Sequence, residues 1–116
     1  KFDMKNDHAI YLHDTPAKAL FSQDERYRSH GCVRVQDALG FARMIAQEQG
    51  VLDQFNQAQS QADREETFIP LAREIPVRLL YLTAVGDNGQ VVVLPDPYRW
   101  DDRVAVALGR EASNQP

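Results

Sequence analysis

The chain of 116 residues has a single cysteine, Cys32, which excludes an internal disulfide framework and an all-thiolate zinc site. It has no long apolar run: its best stretch, residues 75–85, is interrupted by Arg78, whereas a membrane helix needs roughly 20 apolar residues. It has no basic stripe either. Thirteen Lys and Arg against seventeen Asp and Glu leave a net charge of −4, which argues against a nucleic-acid partner. No charged segment followed by an apolar one opens the chain, so no signal peptide is visible. Internal repeats, low-complexity tracts and an interdomain linker are also lacking.

What is there is ordinary for a globular domain. The hydrophobic fraction is 43% and the charged fraction 26%. A domain of this size buries roughly two-thirds of the surface its unfolded chain exposes.

Residues 8–13 have the composition of a strand, which Asp14-Thr15-Pro16 ends with turn chemistry. Residues 17–28 carry many charges and little period, predicting a loop with one short helical turn. After Val35 the apolar positions Val35, Leu39, Ala42 and Ile45 or Ala46 recur at helical spacing, with Asp37 at the start and Gly50 past the end. Gly40 inside this helix calls for a packing reason, because glycine there costs up to about 1 kcal/mol relative to alanine. A second amphipathic helix is expected over 51–64, with Leu52, Phe55, Ala58 and Ala62 on one face. Residues 77–84 read as a well-buried strand apolar on both faces. Gly86-Asp87-Asn88-Gly89 then predicts a hairpin turn into a strand over 90–94. Pro95, Pro97 and the polar tail from Gly109 are read as ending regular structure. The class is α+β, with the strands mainly antiparallel.

Four side chains in a twenty-residue window can do chemistry: His13, Asp14, His30 and Cys32. A cysteine is a useful nucleophile only as thiolate, so Cys32 needs a base or a cation within reach. Both histidines qualify. Gly31 lets the backbone turn sharply, and the helix start that follows favours anions. Three readings stay open on the residues alone: a Cys–His nucleophile pair, a structural histidine pair beside a buried thiol, and a zinc site of His13, His30 and Cys32 with Asp14.

The segment Ile10-Tyr11-Leu12-His13-Asp14-Thr15-Pro16, followed by Ser29-His30-Gly31-Cys32-Val33-Arg34, resembles the two-part signature of the L,D-transpeptidases with the YkuD-type catalytic domain. His13 and Cys32 stand nineteen positions apart in it. Leu20-Phe21, Arg26, Ile75-Pro76-Val77, Tyr81-Leu82-Thr83-Ala84 and Asp96-Pro97-Tyr98 are similar to the YcbB-like Gram-negative branch. The resemblance covers about residues 1–102, read as the C-terminal part of the catalytic domain, with 103–116 as a tail. It implies a β-sandwich with one or two surface helices, whose N-terminal strands lie outside this chain.

By that resemblance Cys32 is the nucleophile and His13 its general base, oriented by the backbone carbonyl of Asp14. The amides of Gly31 and Cys32 form the oxyanion hole. His30 supports or contacts substrate rather than acting as the base. Arg34 contacts a stem-peptide carboxylate or braces the loop, and Asp14, Ser29 and Arg26 serve local hydrogen bonding. The implied reaction is acyl transfer on peptidoglycan stem peptides in the periplasm or cell envelope, without a cofactor or metal. Carbapenem β-lactams are the implied inhibitors, and the missing N-terminal part of the domain is an implied partner. The opposing expectation is a non-catalytic fragment that binds peptidoglycan or a metal ion.

Overall fold

The computed structural model describes residues 1–61 and 66–111. The chain divides into two compact units, Lys1–Ile75 and Pro76 onward. The class is α+β: each unit holds a two-stranded sheet, and there are three α-helices among the described residues. None of these helices is long and apolar enough to cross a membrane.

In the first unit, strand β1 (Leu12–His13) pairs with β2 (Val33–Arg34), Leu12 opposite Val33 and His13 opposite Arg34. The pairing is parallel, which corrects the expectation of antiparallel strands for this pair. Parallel neighbours need a crossover of a dozen or more residues, and the long connection after His13 supplies it. Part of that connection is a 3₁₀ helix, Lys18–Ser22, the single turn expected within 17–28. An isolated antiparallel bridge joins Phe2 to Leu12 on the other side of β1.

Regular strand covers only the last two residues of the expected 8–13. The reason lies in Asn6. Its side-chain oxygen accepts the N–H groups of His8 and Ile10, both at 3.0 Å, and its amide donates to the Ile10 carbonyl at 2.7 Å. This Asx chemistry folds residues 6–10 into a loop, with Ala9 at φ +52°.

Helix α1 (Ala38–Glu48) starts at Asp37, whose carboxylate accepts from the Gly40 N–H at 2.9 Å. A Cβ on Gly40 would stand 2.1 Å from the other Asp37 carboxylate oxygen, so glycine makes room for the cap. The helix ends with Gly50 N–H bonded to the Gln47 carbonyl and Val51 N–H to that of Ala46, a Schellman closure with Gly50 at φ +72°. Ala38 and Ala46 are buried, and Ala42 and Ile45 half-buried, on the inner stripe. Leu39, expected on that stripe, is 59% exposed. The helix begins at Ala38, three residues after Val35, so Leu39 stands in its first turn.

Helix α2 (Leu52–Ser60) packs beside α1, with Arg43 over the Phe55 ring at 5.6 Å. The expected helix ran to 64, and its residues 62–64 lie outside the described residues.

In the second unit β3 (Ala84–Asp87) and β4 (Gln90–Val93) form an antiparallel hairpin. Its loop is Asn88-Gly89, both at positive φ as a type I′ turn requires, so Gly86 and Asp87 belong to the strand rather than to the turn. Residues 77–83 are not a buried strand. Val77, Leu79, Leu80 and Leu82 are exposed, and no strand of the described residues pairs with them. A pattern apolar on both faces has no sheet to be central in here.

Helix α3 (Trp100–Ala107) falls where regular structure was expected to have ended. Asp96 builds it: its carboxylate accepts from the N–H groups of Trp100 at 3.1 Å and Asp101 at 2.8 Å, and from the Tyr81 hydroxyl. Desolvation pushes the Asp96 pKa up, but these hydrogen bonds outweigh it and the carboxyl titrates below its ordinary value. Tyr81, Tyr98 and Trp100 stack around this anchor in tilted pairs.

Candidate active site

The parallel ribbon brings the two halves of the sequence motif together. Side chains in register on neighbouring strands share a face, and alternate residues return to it. His13 opposes Arg34, and continuing the register one pair back sets Cys32 opposite Tyr11. The ladder is closed by Val33 N–H to the Tyr11 carbonyl at 3.2 Å and Val35 N–H to the His13 carbonyl at 2.9 Å. Tyr11, His13, Cys32 and Arg34 thus belong to one face, and the Tyr11 and His13 rings lie 5.6 Å apart.

The His13 ring is held through Nδ1, which is 2.5 Å from the Asp14 carbonyl oxygen. A carbonyl can only accept, so Nδ1 carries the hydrogen and the neutral ring keeps its lone pair on Nε2. Asp14 is itself braced. Its carboxylate accepts from the Thr15 N–H at 2.7 Å and from the Lys18 ammonium. The same ammonium donates to the Gln36 carbonyl at 2.9 Å. Lys18 therefore ties the turn after β1 to the segment after β2. Its hydrogen bond, followed by that of the Thr15 amide, holds the Asp14 carboxyl below its ordinary pKa. Thr15 is buried, and its hydroxyl accepts from the Ala17 N–H at 3.2 Å.

Cys32 is a free, half-buried thiol. Before it, Gly31 has φ +141°, a conformation that side-chain-bearing residues rarely adopt. The Gly31 N–H donates to the Ser29 hydroxyl at 3.2 Å. This bend means that residues 30–32 are not extended, which removes the reason for expecting His30 and Cys32 on one side. His30 is exposed and lies outside the groove onto which Cys32 opens.

That groove has a volume of about 310 Å³. Leu20 and Phe21 of the 3₁₀ helix give it an apolar wall, and Arg26, Arg28 and Arg34 a cationic one. Ser29 and Glu25 also line it. Arg26 donates to the Phe21 carbonyl at 3.5 Å, and Arg34 to the Arg28 carbonyl at 3.3 Å, so both brace main chain. Among the described residues no three His, Cys, Asp or Glu side chains are grouped to hold a metal ion.

Three of these participants escaped the sequence reading. Lys18 stands four residues after Asp14, a spacing that invites an ion pair across a turn. Arg28 and Glu25 sit in a stretch dense in charge, where only Arg26 matched a motif.

Comparison with known proteins places this geometry. The family model for the YkuD L,D-transpeptidase catalytic domain matches residues 1–93. A Haemophilus influenzae protein named "Putative L,D-transpeptidase" is 38% identical over 107 residues, which is 92% of this chain. The chain spans 22% of that relative's length. A match across both halves of the histidine–cysteine ribbon, together with this level of identity, means that the chain belongs to the YkuD family of L,D-transpeptidase catalytic domains.

Proposed function

We propose that this chain carries the acyl-transfer centre of a peptidoglycan L,D-transpeptidase, with Cys32 as nucleophile and His13 as general base. The observation that carries the reading is the ribbon register, which extended by one pair sets Cys32 on the face of His13, whose Nδ1 is committed to the Asp14 carbonyl. That commitment leaves Nε2 as the basic atom, the arrangement in which a backbone carbonyl does the orienting work of a triad carboxylate.

Nε2 takes the Cys32 proton as sulfur attacks the carbonyl carbon of the third residue in a tetrapeptide stem. The resulting oxyanion draws on the amides of Cys32 and Gly31. The Ser29 hydroxyl now on the Gly31 amide is a neutral acceptor, which a developing oxyanion outcompetes. Collapse breaks the carbon–nitrogen bond, His13 returns its proton to the leaving amine, and D-alanine departs. The side-chain amine of a neighbouring stem then attacks the thioester and loses its proton to His13, which passes it to the departing thiolate. The product is a link between two third-position residues. Water or a lipoprotein lysine as acceptor would share the first half-reaction.

The setting is the cell envelope, where the polymer lies. The relative's greater length leaves room for the N-terminal strands that complete such a domain, which we take as this chain's structural partner. Incubating the native full-length protein with the carbapenem meropenem should add one drug mass at Cys32. Cys32→Ala should abolish the adduct, and His13→Ala should slow its formation by about 10²- to 10⁴-fold, the usual worth of a general base. Substituting His30 should cost clearly less. The reverse ranking of the two histidines would overturn the assignment of the base.

A further inference from the structure

The groove beside Cys32 holds three arginines against one glutamate, in a chain whose net charge is −4. Two of the three have work already. Arg26 and Arg34 each donate to a main-chain carbonyl, and the Arg34 bond ends on the carbonyl of Arg28. That bond roots Arg28 to the strand that follows the thiol. The Arg28 guanidinium itself makes no hydrogen bond or ion pair among the described residues, although it lines the same groove as Cys32. A guanidinium offers five donors in a planar fork matched to a carboxylate, so an anchored, uncommitted arginine in a groove is a receptor for that group.

We infer that Arg28 binds the terminal carboxylate of the donor peptide, and so makes the enzyme cut only at the residue next to the chain end. The inference rests on the acyl-transfer reading and extends it. An enzyme that expels a single terminal residue must distinguish a chain end from a peptide that continues. The chemical difference is one negative charge, a residue away from the carbonyl under attack. An amide or a further peptide bond in its place offers the fork a neutral oxygen and a nitrogen that cannot accept.

The test compares two synthetic tetrapeptide donors, one ending in D-alanine as the free acid and one as the C-terminal amide. Thioester formation on Cys32 of the native full-length protein is followed by mass. The wild type should prefer the acid in kcat/KM by about 10- to 100-fold, the worth of a charge-assisted pair. In Arg28→Gln that ratio should fall close to one, and in Arg28→Lys, which keeps the charge but not the fork, it should be intermediate. A purely structural role would slow both donors and leave the ratio intact, which overturns the assignment, as does equal use of both donors by the wild type. If neither donor nor meropenem modifies Cys32, the acyl-transfer reading fails and takes this inference with it.

Discussion

At the residue scale the site depends on a chain of small restraints behind His13. The imidazole is oriented by a backbone carbonyl, and a carbonyl is only as well placed as the turn that carries it. Here the turn is held by the Asp14 carboxylate, which takes the Thr15 amide and the Lys18 ammonium, while Lys18 also grips Gln36. Lys18→Met removes both grips and keeps the aliphatic stem. The Asp14 carboxyl, held below its ordinary pKa chiefly by Lys18, should then titrate at higher pH, as a carbon-detected NMR titration would read. Because its folded pKa is depressed, the brace contributes fully above the ordinary carboxyl range, near 4. It is lost as the pH falls through the folded value. Acylation of Cys32 should also slow in Lys18→Met, since the turn that orients the His13 ring loses its brace.

At the element scale α1 shows how one carboxylate sets where a helix begins and why a glycine stands three residues later. Gly40→Ala should raise helix propensity by up to about 1 kcal/mol. The added Cβ, however, would meet the Asp37 carboxylate at 2.1 Å and dislodge the cap. A lost cap costs about 1 kcal/mol. The expected result of urea unfolding is therefore no gain, or a net loss, where a surface glycine would ordinarily be improved. This helix was legible in the sequence because its signals are local: Asp37, Gly40 and Gly50 lie within fourteen residues of one another. The proposed pair was singled out for a different reason, the resemblance carried by the residues around His13 and Cys32. What escaped depended on distance. The parallel sense of β1 and β2 follows from the path of the connection between them, which no residue pattern records. Helix α3 was hidden by Pro95 and Pro97, which read as an end. Asp96 between them, capping from outside the helix and held by Tyr81 fifteen residues earlier, is the start. The apolar alternation of residues 77–83 promised a buried strand, yet burial belongs to partners and not to the pattern itself.

At the scale of the whole molecule, charge is distributed against the average. The chain is acidic, but the groove beside its one thiol is lined by Arg26, Arg28 and Arg34. An anionic donor is thus repelled by the molecule at large and drawn by the groove. The pull acts over the screening length, which shrinks from about 30 Å to about 10 Å between 0.01 and 0.1 M salt. Acylation by an anionic stem peptide should accordingly lose several-fold in kcat/KM over that range, with kcat little changed. An uncharged donor should be indifferent to salt, and steady-state kinetics on the two would show it.

The ribbon that joins imidazole to sulfur is two residue pairs long, and nineteen residues of connection separate its strands. One rung lost to thermal fraying would part the two side chains, while α1, capped by Asp37 and closed at Gly50, stays wound. On the proposed reading, acylation of Cys32 should fail on warming before α1 melts, with adduct mass and circular dichroism giving the two curves.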